Sequence, residues 1–236
     1  MASSAEVTRR MDKRVTELSG DLARFLHAFD AASKFSGPSL YFHLRTLECL
    51  RHHGSAVDAI ASDDFFDWLY ATLASWGMHR MGRGKTKLRE LPEIKASVRA
   101  QAPVIEGLQA LSLAEISRAE IRPLVHRLWG VLNALSVSIA DAKIVANSKV
   151  LHHILPDLIP PIDRTYTFNF FYNRNMLSIR EEDAFFEMLL RFHGIASEQK
   201  DLLSAHVGPG WNSSRTKVLD NALVGYVVEV LRVQED

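Results

Sequence analysis

The stretch VTRRMDKRVTELSGDLARFLHAF, residues 7–29, decides how the chain is read. Val7, Met11, Val15, Leu18, Leu22, Leu26 and Phe29 recur three or four positions apart, with charged residues between them. That spacing places the apolar side chains on one stripe of a helix and the charges opposite. Gly20 falls inside the stripe, where glycine weakens a helix by about 1 kcal/mol relative to alanine. It marks the point at which the helix can break.

The same period continues outward. Gly37-Pro38-Ser39 stops the first pattern, and Leu40, Leu44, Leu47 and Leu50 mark a second helix that Gly54 closes as a C-cap. Ser62-Asp63-Asp64 opens a third, with Phe65, Phe66, Trp68, Leu69, Leu73 and Trp76 behind it. Leu91-Pro92 sets up another, in which Pro103 predicts a kink or two shorter segments. Ile121, Leu124, Val125, Leu128, Trp129, Leu132 and Leu135 form a strong stripe with Pro123 in its first turn. Residues 136–139 read as a turn or short extended piece, and Lys143 to Leu155 as one helix or two, ended by Pro156. After the extended Pro160-Pro161 pair, Arg164–Phe171, Glu181–Phe192 and Glu198–Leu203 are short helices. Ser213-Ser214 caps the last helix, whose buried face is Leu219, Leu223, Val227, Val230 and Leu231.

These patterns predict an all-α protein of roughly nine or ten helices. A single helical domain spanning residues 1–236 is expected, with 77–90 as the place where two lobes could part around a cleft. No repeat at a fixed period is visible, which argues against a solenoid.

Composition narrows the function classes. The 47% apolar and 24% charged residues describe an ordinary globular chain, and 28 basic residues balance 28 acidic ones. The whole molecule therefore carries no net field toward nucleic acid or membrane, and any such attraction must come from a local patch. The single cysteine, Cys49, excludes internal disulfides and a four-cysteine cluster. It lies beside Leu47 and Leu50 and reads as a small buried residue. No run of about 18 apolar residues exists to span a membrane. Residues 1–20 lack the apolar core of a secretory peptide, so a cytoplasmic location is expected. The pairs His52-His53 and His152-His153 do not suit metal, since adjacent helical residues point about 100° apart. No cofactor and no metal are expected.

Two stretches carry chemistry. Between Arg80 and Arg89 the chain holds Arg80, Arg83, Lys85, Lys87 and Arg89 with no acid, and Gly77, Gly82 and Gly84 lie in or beside it. Cations on an open backbone suit phosphates. A merely solvated loop is the alternative. The second is Asn147-Ser-Lys-Val-Leu-His-His-Ile-Leu-Pro-Asp-Leu-Ile-Pro-Pro-Ile-Asp-Arg-Thr-Tyr166. Lys149 begins a short helix, a proline-bounded connection follows, and Asp163 stands where the next helix starts. Asp163 suits an N-cap, and equally a fixed charge or general base; a desolvated Lys149 suits a nucleophile. The aromatics from Tyr166 to Tyr172 read as core, with a base-stacking platform as the alternative.

Over residues 143–166 the chain resembles the helix-hairpin-helix DNA glycosylases, which place a hairpin lysine before a helix and an apolar-Pro-Val-Asp turn before the next. The resemblance implies that Asp163, in Pro161-Ile162-Asp163, is the carboxylate that stabilises the sugar cation or activates the nucleophile. It also implies that Lys149 is the attacking lysine or a phosphate ligand. Ala146-Asn147-Ser148 stands where the family has a glycine-rich turn.

The expectation is a nucleic-acid-acting, DNA glycosylase-like protein serving DNA repair as a hydrolase or lyase. Asp163 and Lys149 form its catalytic pair, and Arg80, Arg83, Lys85, Lys87 and Arg164 bind phosphate. The alternative is a non-catalytic helical binding or regulatory module that meets a protein partner or its own copy. A small-molecule enzyme taking a phosphorylated ligand at the basic loop is a third reading.

Overall fold

The computed structural model describes residues 4–32, 37–78 and 87–232. Arg80, Arg83 and Lys85 lie outside the described residues. The all-α expectation holds: the described residues form thirteen α-helices, and an isolated bridge between Leu88 and Ser138 is their one β pairing. Among them no helix is long and apolar enough to cross a membrane.

The opening stripe is two helices, α1 (Ser4–Gly20) and α2 (Leu22–Ala32), broken at the glycine. Helix α3 (Pro38–His53) starts on its proline and ends at Gly54, whose left-handed φ of 77° turns its N–H onto the Arg51 carbonyl. A one-turn helix, α4 (Ala56–Ala61), follows, capped by the Ser55 hydroxyl on the Asp58 N–H. Helix α5 (Asp63–Leu73) runs into a π turn at Ala74–Met78, where Gly77 again takes a left-handed φ, 79°. Pro103 splits the next pattern, giving α6 (Leu91–Arg99) and α7 (Ala102–Glu106). Then come α8 (Ile121–Ala134), α9 (Ile144–Ile154), α10 (Thr167–Tyr172), α11 (Glu181–Glu198), α12 (Lys200–His206) and α13 (Arg215–Tyr226). The helix count exceeds the expectation because the opening stripe breaks at Gly20, Pro103 divides another pattern, and α4 is too short to show a period. Helix α11 outruns its expected end because Phe185, Met188, Leu189, Phe192 and Ile195 hold one buried stripe across Gly194.

Helix α13 departs most from the sequence reading. Every residue from Thr216 to Tyr226 is buried, on all faces rather than one, while Val230 beyond it is exposed. Its closest neighbour is α2. A Cβ on Gly225 would stand 1.8 Å from the Phe25 carbonyl oxygen, so only glycine permits this approach. Tyr226 packs on Phe25 and Phe170, ring centroids 4.9 and 5.1 Å away, and its hydroxyl donates to Glu17. Each fully buried side chain of this size contributes about 1.5–3 kcal/mol.

Helix α1 also fixes α10. Buried Arg14 donates to the Asn169 and Phe170 carbonyls at 2.8 and 2.7 Å and to Asn173 Oδ1 at 3.0 Å. It thereby satisfies carbonyls that a helix C-terminus leaves without partners. Asn173 closes the helix in the left-handed conformation, φ 59°. Tyr166, Phe168, Phe170, Phe171 and Tyr172 are all buried, so this aromatic run is core.

Candidate functional site

Lys149 and Asp163 sit at the two ends of a connection locked from both sides. From α9, the Ser148 hydroxyl accepts the Ile162 N–H at 3.1 Å, and His152 Nδ1 meets the Ile159 carbonyl at 2.8 Å. From the start of α13, Ser214 Oγ donates to the Pro156 carbonyl at 2.9 Å, and Thr216 Oγ1 reaches the Pro156 and Ile159 carbonyls. The prolines donate no N–H, so these side chains supply the partners that a regular element would have provided. Helix α9 is itself capped from outside, by Glu181 of α11 on the Lys143 N–H at 2.8 Å.

Asp163 Oδ1 accepts the Tyr166 N–H at 2.6 Å, while its own N–H donates to Thr167 Oγ1 at 3.1 Å. It closes the turn at residues 164–166 rather than capping α10, whose N-cap is Tyr166, because the helix starts three residues later than the spacing suggested; Oδ1 is committed, and Oδ2 makes no hydrogen bond among the described residues. Asp163 is half-buried, and Arg164 beside it is exposed. Lys149, also half-buried, donates from Nζ to the Trp76 carbonyl at 3.3 Å and lies 5.8 Å from the centre of the Trp76 ring. Trp76 belongs to the π turn after α5, which leads into the basic stretch. That stretch is pinned at its base, where the Lys87 N–H donates to the Met78 carbonyl at 3.1 Å; Lys87 itself is exposed. Arg89 is occupied by the Ser138 carbonyl and Glu93.

The residues that complete this surface come from elsewhere in the chain. Trp211 lies 6.0 Å from Trp76, and the His43 ring packs against both, 5.3 Å from each. Both tryptophans are half-buried. Lys217 Nζ stands 5.1 Å from the Trp211 ring and bonds Asp220 Oδ2 at 2.7 Å and Asn221 Oδ1 at 2.5 Å. Asn221 Nδ2 donates in turn to the Trp211 carbonyl and Asn212 Oδ1. Burial pushes the Asp220 carboxyl above the usual carboxylate range; Lys217 opposes that shift, Asp163 adds to it, and Lys149 works against it. Asp163 and Lys149 therefore both act on this buried pair.

Behind the tryptophans lies a chain of imidazoles. Ser213 Oγ is 2.8 Å from His43 Nε2, His43 Nδ1 is 2.9 Å from His153 Nε2, and His153 Nδ1 is 2.7 Å from the Lys149 carbonyl. Burial lowers the affinity of all three nearby histidines for a proton: His43 and His152 well below the ordinary imidazole value, His153 to about 4.

His43, Trp76, Trp211, Ser213, Lys217, Asp220 and Asn221 were not singled out from sequence as parts of this site. One signal was present: Lys217, Asp220 and Asn221 are polar at i, i+3 and i+4, the first just before and the other two inside the apolar run Val218 to Val224.

The cysteine also has an unexpected setting. Cys49 and His53, one helical turn apart on α3, both face Asp64 in the first turn of α5: Sγ lies 3.5 Å from Oδ2 and His53 Nε2 3.1 Å from Oδ1. Burial, then the Asp64 carboxylate, pushes the thiol up to about 11. Asp64 is drawn down to about 2, chiefly by the Ser62 hydroxyl, with His53 and the thiol adding to it. The residue that joins His53 on Asp64 is Cys49, not its neighbour His52.

No family model, curated protein or solved structure matches the chain.

Proposed function

We propose that this chain acts on nucleic acid, in the manner of a DNA glycosylase, at the surface formed by Trp76, Trp211, Lys149 and Asp163. The observation that carries the reading is the pairing of two half-buried indoles 6.0 Å apart with the half-buried Lys149 ammonium beside one of them. Aromatic faces with an adjacent cation suit a base and its phosphate, and stacking of one base is worth about 1–3 kcal/mol. Lys149 is a phosphate ligand in this reading, with its Nζ held beside the Trp76 ring by the Trp76 carbonyl. Lys87, Arg164 and the cations Arg80, Arg83 and Lys85 extend the backbone contact. Asp163 Oδ2 is the carboxylate oxygen available to offset positive charge on the sugar as the base departs and water adds. Repair of DNA in the cytoplasm is the setting that goes with this activity.

A second reading has its own observation. The turn that Asp163 closes is complete without any ligand, as a structural corner in a non-catalytic helical module requires. Fluorescence anisotropy with labelled single-stranded, duplex and abasic DNA, at low and moderate salt, separates the two. Tight binding is expected, with a salt dependence that falls by about one phosphate contact in Lys149→Ala. Base release should then vanish in Asp163→Asn. No binding at low salt overturns the nucleic-acid reading and leaves the module.

A further inference from the structure

We infer that Cys49, His53 and Asp64 form a binding site for a zinc ion, independent of the nucleic-acid surface. The three side chains are held by two rigid elements. Cys49 and His53 are separated by four residues on α3, so they share one face, and Asp64 lies in the first turn of α5. Farther along, Thr46 Oγ1 and Thr72 Oγ1 meet at 2.8 Å and tie the two helices together. Both donors on α3 already stand from the Asp64 carboxylate at the spacing that a metal requires. Tetrahedral zinc, with bonds of about 2.0–2.3 Å, holds its ligand atoms about 3.3–3.6 Å apart. Here Cys49 Sγ is 3.5 Å from Asp64 Oδ2, and His53 Nε2 is 3.1 and 3.4 Å from the two carboxylate oxygens. The three ligand atoms all lie within 4.8 Å of one another.

The chemistry of the set selects the ion. A thiolate, an imidazole and a carboxylate together suit a borderline-soft divalent ion, and the hard oxygen-seeking cations have no use for the sulfur. The burial gradient gives the site a floor and a mouth: Cys49 is buried, the His53 side chain is 22% exposed, and that of Asp64 is 56% exposed. The fourth coordination position falls on the solvent side and takes water. On binding, the ion replaces the proton on Cys49 Sγ, which passes to solvent, and displaces the hydrogen bonds that both donors make to Asp64. The ion would then fasten the C-terminal end of α3 to the start of α5, across the α4 corner.

The test uses the full chain with zinc and with cobalt as its spectroscopic substitute. One cobalt ion per chain is expected, with a thiolate-to-cobalt charge-transfer band and the intense visible bands of a tetrahedral centre. Cys49→Ser should remove the charge-transfer band. His53→Gln and Asp64→Asn, each placing a neutral polar side chain at a partly exposed position, should weaken zinc in competition with a chromophoric chelator. The loss should be at least the roughly tenfold that even an outer-sphere change costs. Folding of each variant is checked by far-ultraviolet circular dichroism. Failure of the folded wild type to take up metal overturns the inference. So does cobalt uptake without the charge-transfer band, or zinc affinity unchanged in both His53→Gln and Asp64→Asn; the trio is then only the hydrogen-bonded start of α5.

Discussion

His43 donates to His153, and the direction of that hydrogen bond is fixed by the residues at either end of the chain. The Lys149 carbonyl can only accept, so His153 Nδ1 carries the hydrogen. In the neutral ring, Nε2 is then an acceptor, and His43 Nδ1 supplies its proton across 2.9 Å. His43 Nε2 is left to accept from Ser213. Each ring has one tautomer and a partner on both nitrogens, and the row ends at a hydroxyl beside Trp211.

Stability should therefore fall on acidification before the carboxylates are reached. His153 has a folded value of about 4 against 6.5 unfolded, and His43 and His152 are also held well below the ordinary imidazole value by burial. A depressed histidine leaves the unfolded chain binding more protons, so its contribution is complete above 6.5 and is lost as pH falls from there toward 4. Each such proton costs about 1.4 kcal/mol per pH unit. Urea unfolding at several values across this window should show a slope of more than one proton, reduced in His153→Gln. A flat profile would refute the neutral chain.

Asp163 separates turn closure from activity. Asn accepts the Tyr166 N–H as Asp does, so Asp163→Asn should unfold within about 0.5 kcal/mol of wild type, whereas Asp163→Ala removes the turn's hydrogen bond and should lose about 0.5–1.5 kcal/mol. Loss of base release in the stable Asn variant then isolates the charge. Equal stability of the Ala variant would show that this hydrogen bond contributes nothing.

The buried ion pair on α13 predicts an asymmetric result. Lys217→Met strands Asp220 in a dry environment and should cost about 3–5 kcal/mol. Lys217→Met combined with Asp220→Leu removes both charges and should recover much of that loss. Unfolding midpoints of the two singles and the double give the coupling directly. A double variant no more stable than Lys217→Met alone would contradict the pairing.

Gly225→Ala tests the close helix crossing. The added methyl meets backbone, not a side chain that can swing away, so α2 and α13 must separate. A loss of about 1–3 kcal/mol or more is expected in chemical denaturation, from one carbon atom. Gly194→Ala, with open space around it, should by contrast be neutral or stabilising.

The helices were legible wherever the chain punctuates itself. Pro38, Gly54, Pro103, Pro123 and Ser214 each mark a boundary that the structure keeps. Residues 164–166 were expected to be helical but form the turn that Asp163 closes, because the side chain takes an N–H ahead of α10. Helix α13 was misread for a different reason. Polarity at Lys217, Asp220 and Asn221 looks like solvent exposure in a sequence, whereas here the three residues satisfy one another in the interior. The same ambiguity hid half of the candidate site. Lys149 and Asp163 are local to one segment and could be found there; His43, Trp76 and Trp211 join them only through tertiary packing.

The contact between Tyr226 and Glu17 spans 209 positions of the chain. The faces of α1 and α2 that pack on α13 thus wait for that helix before they are covered. During synthesis they emerge well ahead of the helix that covers them. Such non-local closure is slow relative to local helix formation, and the waiting state exposes those faces. The nascent chain should depend on chaperones until α13 has left the ribosome.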